Sequence, residues 1–117
     1  MDCFKQNISF QERLEQSERL RQKYPDKIPI ICEKNKNEKR INKMEKTKFL
    51  VNSAMTSGHF LAVIRSKIKL ENHVALFIFY GNSELVSNSE LLSDVYLKLK
   101  DRDGFLYANY SSENTFG

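Results

Sequence analysis

The sequence predicts an α+β fold in a single domain. Helical periodicities and β-favouring runs follow one another in the order helix, strand, strand, helix, strand, short helix, strand. The 117 residues are enough for one core, and 40% of them are hydrophobic, as is usual for a globular protein. Two strands, a crossing helix and two further strands predict a mixed four-stranded sheet with a helix packed across it.

The first element is an amphipathic helix between Ser9 and Pro25. Ser9 and Glu12 have the spacing of a capping box, and Pro25 ends the helix. The apolar stripe is narrow, and we expect the charged residues beside it, Arg13 among them, to face solvent. Such a helix covers a core rather than forming one. Residues 1–25 are therefore predicted to be a helical extension packed on the domain.

Two strands joined by a polar connection follow this extension. Residues 28–32 and 48–51 are rich in β-favouring side chains, whereas residues 33–46 are rich in Lys, Asn and Glu. The composition of the connection predicts a long exposed loop. Lys48 on one face of the second strand is typical of an edge strand.

The second half of the chain supplies a long helix, a strand, a short helix and a last strand. We expect Thr56 to cap the long helix, Ser89 to start the short one, and residues 101–104 to form a polar turn. The strands are predicted at residues 75–80 and 105–110. This order is the β-grasp arrangement of ubiquitin, with an N-terminal helical segment added.

The core predicted at residues 26–110 leaves a polar tail at residues 111–117, which ends in Phe116 and Gly117. A slim glycine carboxylate after a final strand suggests that this carboxylate is the working group, because glycine has no side chain to clash in another protein's site. The alternative is an unordered terminus. Composition alone favours that alternative.

The charge is uneven along the chain. Residues 1–48 contain 13 Lys and Arg against 8 Asp and Glu, whereas residues 49–117 contain 6 against 7. A basic first half indicates acidic partners, such as peptides, lipid headgroups or nucleic acid. Nucleic acid is disfavoured, since no run of exposed aromatic residues accompanies the basic ones.

The sequence has no pattern of a catalytic or metal site. His59 and His73 have no recognisable Cys, Ser or acidic partner in sequence, and Cys3 and Cys32 lack the spacing of metal ligands. No phosphate-binding loop is present, and no window approaches the roughly 20 apolar residues of a membrane span. We expect a cytoplasmic protein without enzyme activity, metal or cofactor, whose function lies in its binding surfaces and its tail.

A set of segments occurs in a fixed order between Phe10 and Gly117. The segments are Tyr24–Lys34, Lys48–Val51, Thr56-x-Gly-x-Phe60, Ile64–Arg65, Phe77–Phe79, Asp103–Tyr107 and Glu113–Gly117. Together they resemble the autophagy ubiquitin-like modifier family, which includes the GABA-receptor-associated proteins and the microtubule-associated light-chain proteins. The resemblance implies a β-grasp core that carries two N-terminal helices.

The resemblance also implies that Gly117 is attached to phosphatidylethanolamine on the autophagosomal membrane. Activating and conjugating enzymes of the ubiquitin-like pathway would act on its carboxylate, and Phe116 would be an apolar handle for a deconjugating cysteine protease. The protein would be cytoplasmic, and peripheral on autophagosomal membranes when lipidated. The sequence leaves open whether the glycine is native or exposed by processing.

By the same resemblance, the strand at residues 48–51 binds cargo receptors and adaptors. Their short, acidic-flanked aromatic-x-x-aliphatic motifs would add a strand to the sheet. The aromatic pocket would be formed by Gln16, Leu20, Pro29, Ile31, Lys48, Leu50 and Phe105. The aliphatic pocket would be formed by Phe49, Val51, Met55, Phe60, Val63 and Ile64, and the charged rim by Lys27, Lys46 and Lys67. Core packing is the alternative for each apolar residue, and the better one for Phe60 and Ile64.

Three further features qualify the resemblance. Phe77 and Phe79 match positions that contribute to a second docking face, although their strand pattern equally indicates core packing. Gln16 stands where many members of the family have a glutamate, which leaves a preference for tryptophan in the motif open. The basic, Asn-rich segment at residues 35–43 has no role that the resemblance explains.

A rival hypothesis is a non-conjugated adaptor that binds tubulin or another acidic partner through its basic N-terminal half. Removal of residues 1–25 would abolish that activity, whereas loss of Phe116 and Gly117 would leave it intact. The two hypotheses are therefore separated by the end of the chain that each requires.

Overall fold

The computed structural model describes residues 3–114, and its four strands form one mixed sheet. The strands are β1 Lys27–Lys34, β2 Lys48–Asn52, β3 Phe77–Tyr80 and β4 Leu106–Ser111. They lie in the order β2-β1-β4-β3, in which β1 and β4 are parallel and both outer pairs are antiparallel. The predicted mixed sheet is confirmed, and β2 lies at an edge as Lys48 indicated.

Helices α1 to α4 accompany the sheet in the described residues. Their bounds are α1 Phe4–Asn7, α2 Phe10–Lys23, α3 Ser57–Ile68 and α4 Leu92–Leu99. Two of them begin at the predicted caps. Ser9 Oγ accepts a hydrogen bond from the Glu12 N–H at 3.2 Å, and Thr56 Oγ1 accepts one from the N–H three residues later at 3.1 Å. Each bond satisfies a donor that the first turn of a helix leaves unpaired.

The prediction that Ser89 starts the short helix is wrong, because α4 begins at Leu92. The Ser89 N–H donates to Ser87 Oγ at 3.3 Å, so these serines close a turn before the helix. Leu91 is the N-cap residue and forms a β-bridge with Thr56. This contact between distant parts of the chain fixes the backbone at the helix start.

The hydrophobic core lies between the sheet and α3. Ile30 and Leu106 of the sheet and Phe60 and Ile64 of α3 are fully buried within it. Burial of one such side chain stabilises the fold by about 1.5–3 kcal/mol. Helix α3 is therefore the predicted crossing helix.

The other face of the sheet is covered by α1 and α2. Because successive residues of a strand point to opposite faces, Ile31, Phe79 and Phe105 lie opposite their neighbours in the core. All three are at most 1% exposed. Helix α2 packs on β1, and the Phe4 ring of α1 meets the Phe105 ring edge to face at 5.2 Å between centroids. The expected N-terminal helices are present, and they cover this face.

The expectation that Arg13 faces solvent is wrong. Its Nε donates to Asp103 Oδ2 at 2.8 Å, and 10% of the Arg13 side chain and none of the Asp103 side chain is exposed. Asp103 also accepts hydrogen bonds from the Phe105 N–H and the Tyr107 hydroxyl. The hydrogen bond to Asp103 raises the pKa of Arg13. The predicted polar turn before β4 therefore contains a buried carboxylate that joins α2 to the core.

The loop between β1 and β2, residues 35–47, is less exposed than its composition predicts. Ile41 and Met44 are 4% and 9% exposed and belong to the core cluster. The Met44 N–H donates to the Tyr110 hydroxyl at 3.0 Å, and that hydroxyl donates to the Asn42 carbonyl at 3.0 Å. Burial of Ile41 and Met44 and the hydrogen bonds of Tyr110 thus fix a loop whose composition is mostly polar.

Glu38 in this loop is also buried. Its Oε1 accepts hydrogen bonds from the Ser112 N–H at 2.6 Å and the Ser111 hydroxyl at 3.2 Å. Its Oε2 accepts from the N–H groups of Arg40 and Ile41 at 2.7 and 2.9 Å. Burial by itself would raise the pKa of this carboxyl, but the hydrogen bonds from Ser112, Arg40 and Ile41 lower it to about 2. The ionised carboxylate therefore links the loop to the end of β4.

Glu38→Gln is expected to lower the free energy of unfolding near neutral pH by about 1.5–3 kcal/mol, as hydrogen bonds to charged groups do. The folded pKa of Glu38 lies below the unfolded value of about 4.3. The stabilisation is therefore present above the unfolded pKa and lost as the pH falls through the folded one. Denaturant titrations at several pH values should show the gap between parent and variant closing toward pH 2. Glu45→Gln, in the exposed part of the loop, is the control. A gap that does not change with pH would contradict the prediction.

Candidate peptide-binding site

The free edge of β2 is the centre of the candidate site. Strand β2 pairs with β1 on one side, and no other described strand lies beyond it. In the β1–β2 register, Ile31 is opposite Lys48 and Pro29 is opposite Leu50. These four residues share the face that α1 and α2 cover. Leu50 is half-buried and Lys48 is exposed, so this face ends at the edge in an apolar side chain and a cation.

Helix α2 borders this face of the edge. Gln16 Oε1 accepts a hydrogen bond from Lys48 Nζ at 2.8 Å, which ties the helix to β2. Leu20 follows Gln16 by four residues, lies on the same side of the helix and is half-buried. Phe105 is fully buried, so it forms the floor beneath this face rather than its surface. The structure therefore brings Gln16 and Lys48 into contact.

Phe4 lies at the same place, and sequence reasoning did not single it out. Its ring centroid is 5.2 Å from that of Phe105, and Lys48 Nζ lies 5.5 Å from it. The Phe4 N–H donates to Glu33 Oε2 at 2.9 Å, which fixes the start of α1 against β1. The chain thus places its own aromatic ring against two side chains expected in the aromatic pocket. The available signal was a phenylalanine among mostly polar residues at the N-terminus.

The residues expected in the aliphatic pocket lie on the core face, between β2 and α3. The rings of Phe49 and Phe60 meet edge to face at 5.8 Å between centroids. Phe49 and Val51 are at most 8% exposed, and Phe60 and Ile64 are fully buried. This burial agrees with the core-packing alternative for Phe60 and Ile64. The two half-buried members, which offer surface to a ligand, are Met55 and Val63.

Two of the three lysines expected at the rim lie together. Lys46 and Lys67 line a groove of about 440 Å³ that also includes Ile68. Lys46 Nζ is 5.4 Å from the centroid of the Phe49 ring, so this groove adjoins the aliphatic side of the edge. Lys27 is half-buried at the start of β1. The rim charge is therefore concentrated beside α3.

Phe77 and Phe79, expected at a second docking face, differ in exposure. Phe79 is 1% exposed on the side that α1 and α2 cover. Phe77 is half-buried and lines a small cavity with Leu61 and Leu85. Burial favours core packing for Phe79 and leaves Phe77 with accessible surface.

The cysteines and His73 differ in burial. Cys32 is fully buried, and that burial raises the pKa of its thiol. Cys3 is a half-buried free thiol. His73 Nδ1 lies 3.6 Å from Glu71 Oε2, but both side chains are more than three-quarters exposed. Among residues 3–114, no group of three or more His, Cys, Asp or Glu side chains is placed to hold a metal ion.

The tail residues Phe116 and Gly117 lie outside the described residues. Strand β4 ends at Ser111, and the description of the chain ends at Asn114. In the part that the structure describes, no helix has the length and apolar character to cross a membrane. The roles expected for Phe116 and Gly117 therefore stay predictions.

The mixed sheet, its crossing helix and the two helices that precede β1 define a ubiquitin-like protein with an N-terminal extension. Comparison with known protein families narrows this class to one family. The sequence profile described as "Autophagy protein Atg8 ubiquitin like" matches residues 12–117. The chain belongs to the Atg8 family of autophagy proteins.

Individual relatives agree with this assignment over nearly their full length. Autophagy-related protein 8 of Mycosarcoma maydis is 49% identical over 115 residues, which cover 98% of this chain and 96% of that protein. Autophagy-related protein 8e of Arabidopsis thaliana is 48% identical over 114 residues, covering 97% and 92%. The crystal structure of Trypanosoma brucei ATG8 has a TM-score of 0.89 at 40% identity and covers 100% of this chain and 99% of that one. The predicted family and ubiquitin-like fold are confirmed.

Proposed function

We propose that this chain is a ubiquitin-like modifier joined through the carboxylate of Gly117 to phosphatidylethanolamine. On autophagosomal membranes it would recruit cargo receptors and adaptors that carry aromatic-x-x-aliphatic motifs. Membership of the Atg8 family supports the conjugation. The observation that carries the recruitment is the open edge of β2, which has partly exposed apolar side chains on both faces of the sheet.

The spacing of the motif fits this edge. A peptide that pairs with β2 becomes a fifth strand, and residues three positions apart in a strand point to opposite faces. The aromatic and aliphatic residues would therefore enter opposite faces of the sheet. Leu50 is half-buried on the face that α2 borders, and Met55 and Val63 are half-buried on the α3 face. Each face of the edge offers apolar surface to one residue of the motif.

The charges around the edge favour an acidic peptide. Lys46 and Lys67 are exposed beside α3, and Lys48 is exposed on the α2 face. Gln16, the side-chain acceptor of Lys48 at 2.8 Å, is neutral and leaves the lysine charge uncompensated. Rim charges of this kind mainly raise the rate of association, and salt screens them.

Leu50→Ala is expected to weaken the binding of an aromatic-x-x-aliphatic peptide by about 1–3 kcal/mol, as truncations in buried interface pockets do. The backbone of β2 would still pair with the peptide, so the loss reports the pocket alone. Isothermal titration calorimetry measures it. Leu97→Ala makes the same chemical change at a leucine of α4 that is 70% exposed, and should leave the affinity unchanged. Equal affinities for the parent and Leu50→Ala would remove Leu50 from the pocket.

The chemistry of conjugation suits a glycine at the terminus. The carboxylate would attack ATP to form an acyl-adenylate with release of pyrophosphate. An enzyme cysteine would then displace AMP to form a thioester, and the lipid amine would displace that cysteine thiol to form an amide. A residue without a Cβ fits a narrow site and keeps a free choice of φ. The two acyl chains of the lipid supply the anchoring that one chain does not. Phe116 would give the deconjugating cysteine protease a large apolar side chain to bind.

The rival function, a non-conjugated adaptor for tubulin or another acidic partner, needs a different experiment from simple truncation. Removal of residues 1–25 would take Arg13 away from the buried Asp103, so the truncated chain would lose stability as well as charge. Reversal of exposed charges on α2, Arg19→Glu with Lys23→Glu, tests the rival instead. Membrane recruitment in cells that survives this reversal but not deletion of Phe116 and Gly117 supports the conjugated modifier. Co-sedimentation with tubulin that survives the deletion but not the reversal supports the adaptor.

A further inference from the structure

We propose that the β1–β2 loop faces an anionic membrane surface and binds lipid headgroups there through Lys36, Lys39 and Arg40. This inference rests on the proposed function, since it takes the lipid to be joined at Gly117. It assigns a role to the exposed basic side chains of residues 35–43, which neither the peptide-binding site nor the core uses. Its support is the position of this loop beside Ser112, the residue that follows β4. We call Ser112 the tail root, because the tail leaves the sheet there.

Glu38 holds the middle of the loop against the tail root. Its Oε1 accepts the Ser112 N–H at 2.6 Å and the Ser112 hydroxyl at 2.9 Å. Its Oε2 accepts the N–H groups of Arg40 and Ile41 at 2.7 and 2.9 Å. One carboxylate therefore orders the loop backbone and binds the residue at which the described chain leaves β4.

Both sides of the loop are fixed to β4 as well. The Asn35 N–H donates to the Tyr110 carbonyl at 2.9 Å, and Asn35 Nδ2 donates to Asn109 Oδ1 at 2.8 Å. On the far side, the Tyr110 hydroxyl donates to the Asn42 carbonyl at 3.0 Å. The loop and the tail root are consequently one structural unit.

The length of the tail limits how the domain can sit on a bilayer. Five residues follow Ser112, and a fully extended chain of that length spans at most about 18 Å. The described domain measures 40 × 32 × 26 Å along its principal axes. A lipid at Gly117 therefore draws the surface around Ser112 toward the membrane, and the β1–β2 loop forms part of that surface.

The exposed charge of the loop matches an anionic surface. Lys36, Lys39 and Arg40 are exposed, and within residues 3–114 none of their side chains is in a salt bridge. The acidic residue among them, Glu38, is buried and turned toward Ser112. Each basic residue near an anionic leaflet favours the bound state by about fivefold. The three basic residues together therefore favour the anionic membrane over a neutral one, and a high salt concentration screens this attraction.

The test tethers the chain without enzymes, so that it is independent of conjugation. A Cys3→Ser, Gly117→Cys chain is coupled to a maleimide-bearing lipid in phosphatidylcholine vesicles, with or without phosphatidylserine. Cys32 is fully buried and is not expected to react. Acylation of Lys36 and Lys39 is followed by mass spectrometry, with Lys23 as the internal reference.

We expect phosphatidylserine to slow acylation of Lys36 and Lys39 by roughly threefold or more, and about 1 M salt, at which the Debye length is near 3 Å, to restore it. Lys23 should not change. Equal rates with and without phosphatidylserine, or equal slowing at Lys23, would overturn the proposal.

Charge reversal supplies a second readout. Amide hydrogen exchange over residues 36–41 should slow on phosphatidylserine in the parent and in an Arg19→Glu, Lys23→Glu, Arg102→Glu control. It should not slow in Lys36→Glu, Lys39→Glu, Arg40→Glu. Slowing in both triple variants would overturn the proposal. If the tethered chain behaves as expected while enzymes fail to conjugate Gly117, the proposed function fails and the lipid-binding surface stands. If enzymes conjugate Gly117 but phosphatidylserine does not slow hydrogen exchange in the loop, the proposed function stands and the lipid-binding surface fails.

Discussion

Arg13→Met is expected to lower the free energy of unfolding by about 3–5 kcal/mol, because it leaves the buried Asp103 carboxylate without its ionic partner. The pair is 2.8 Å apart, and no part of the Asp103 side chain is exposed to water. Removal of one member of such a pair costs far more than the pair contributes as a whole. For a fold of this size, a loss of that magnitude is a large fraction of the total stability.

Arg13 also holds α1 in place, which adds to the expected effect. Its Nη1 donates to the carbonyls of Lys5 and Ile8 at 2.9 and 2.6 Å. Loss of these bonds would free α1 and with it Phe4, whose ring packs on Phe105. The variant should therefore lose part of the cover over the α2 face of the sheet as well as stability.

Urea denaturation of matched variants measures the effect. Arg19→Met removes the same kind of charge from an exposed position on α2 and should change stability by less than about 0.5 kcal/mol. The double variant Arg13→Met, Asp103→Asn should cost less than the sum of its single changes, since no unpaired charge remains. An Arg13→Met chain as stable as Arg19→Met would contradict a structural role for the pair.

The second large effect is expected at Gly117. Gly117→Ala should slow conjugation by about 100-fold, since small misplacements of a reacting group cost that much. The added methyl group restricts φ and must fit into a site shaped for glycine. A reconstituted reaction with the activating and conjugating enzymes of a related protein gives the rate. Ser112→Ala, which leaves the terminus intact, is the matched control and should be conjugated at close to the parent rate.

Much of the fold could be predicted because its signals are local. The Ser9 and Thr56 caps depend on residues three positions away, and strand β2 was predicted from the four consecutive residues 48–51. The prediction failed for Ser89, where a bridge between Thr56 and Leu91 determines the start of α4. Contacts between distant residues leave no pattern in a single sequence.

The same distinction separates the predicted from the unpredicted parts of the site. The alternation in β2 places Lys48 and Leu50 on one face and Phe49 on the other, as expected. The ion pair of Arg13 joins residues 90 positions apart, and the hydrogen bonds of Glu38 to Ser112 span 74. From the sequence, Arg13 and Glu38 look like ordinary surface charges, because their partners are distant along the chain. The residues of the two pockets were predicted from the resemblance to a family, since composition did not indicate them.

The modifier hypothesis depends on the chemical state of the C-terminus, and intact mass spectrometry followed by peptide mapping measures it directly. After reaction with activating and conjugating enzymes on vesicles, the account predicts that the chain gains the mass of one phosphatidylethanolamine and that the modified peptide ends in Gly117. The gain should disappear after treatment with the deconjugating protease. An unchanged mass under conditions that lipidate a related Atg8 protein, or a lipid found on a lysine instead of the terminal carboxylate, would contradict the account.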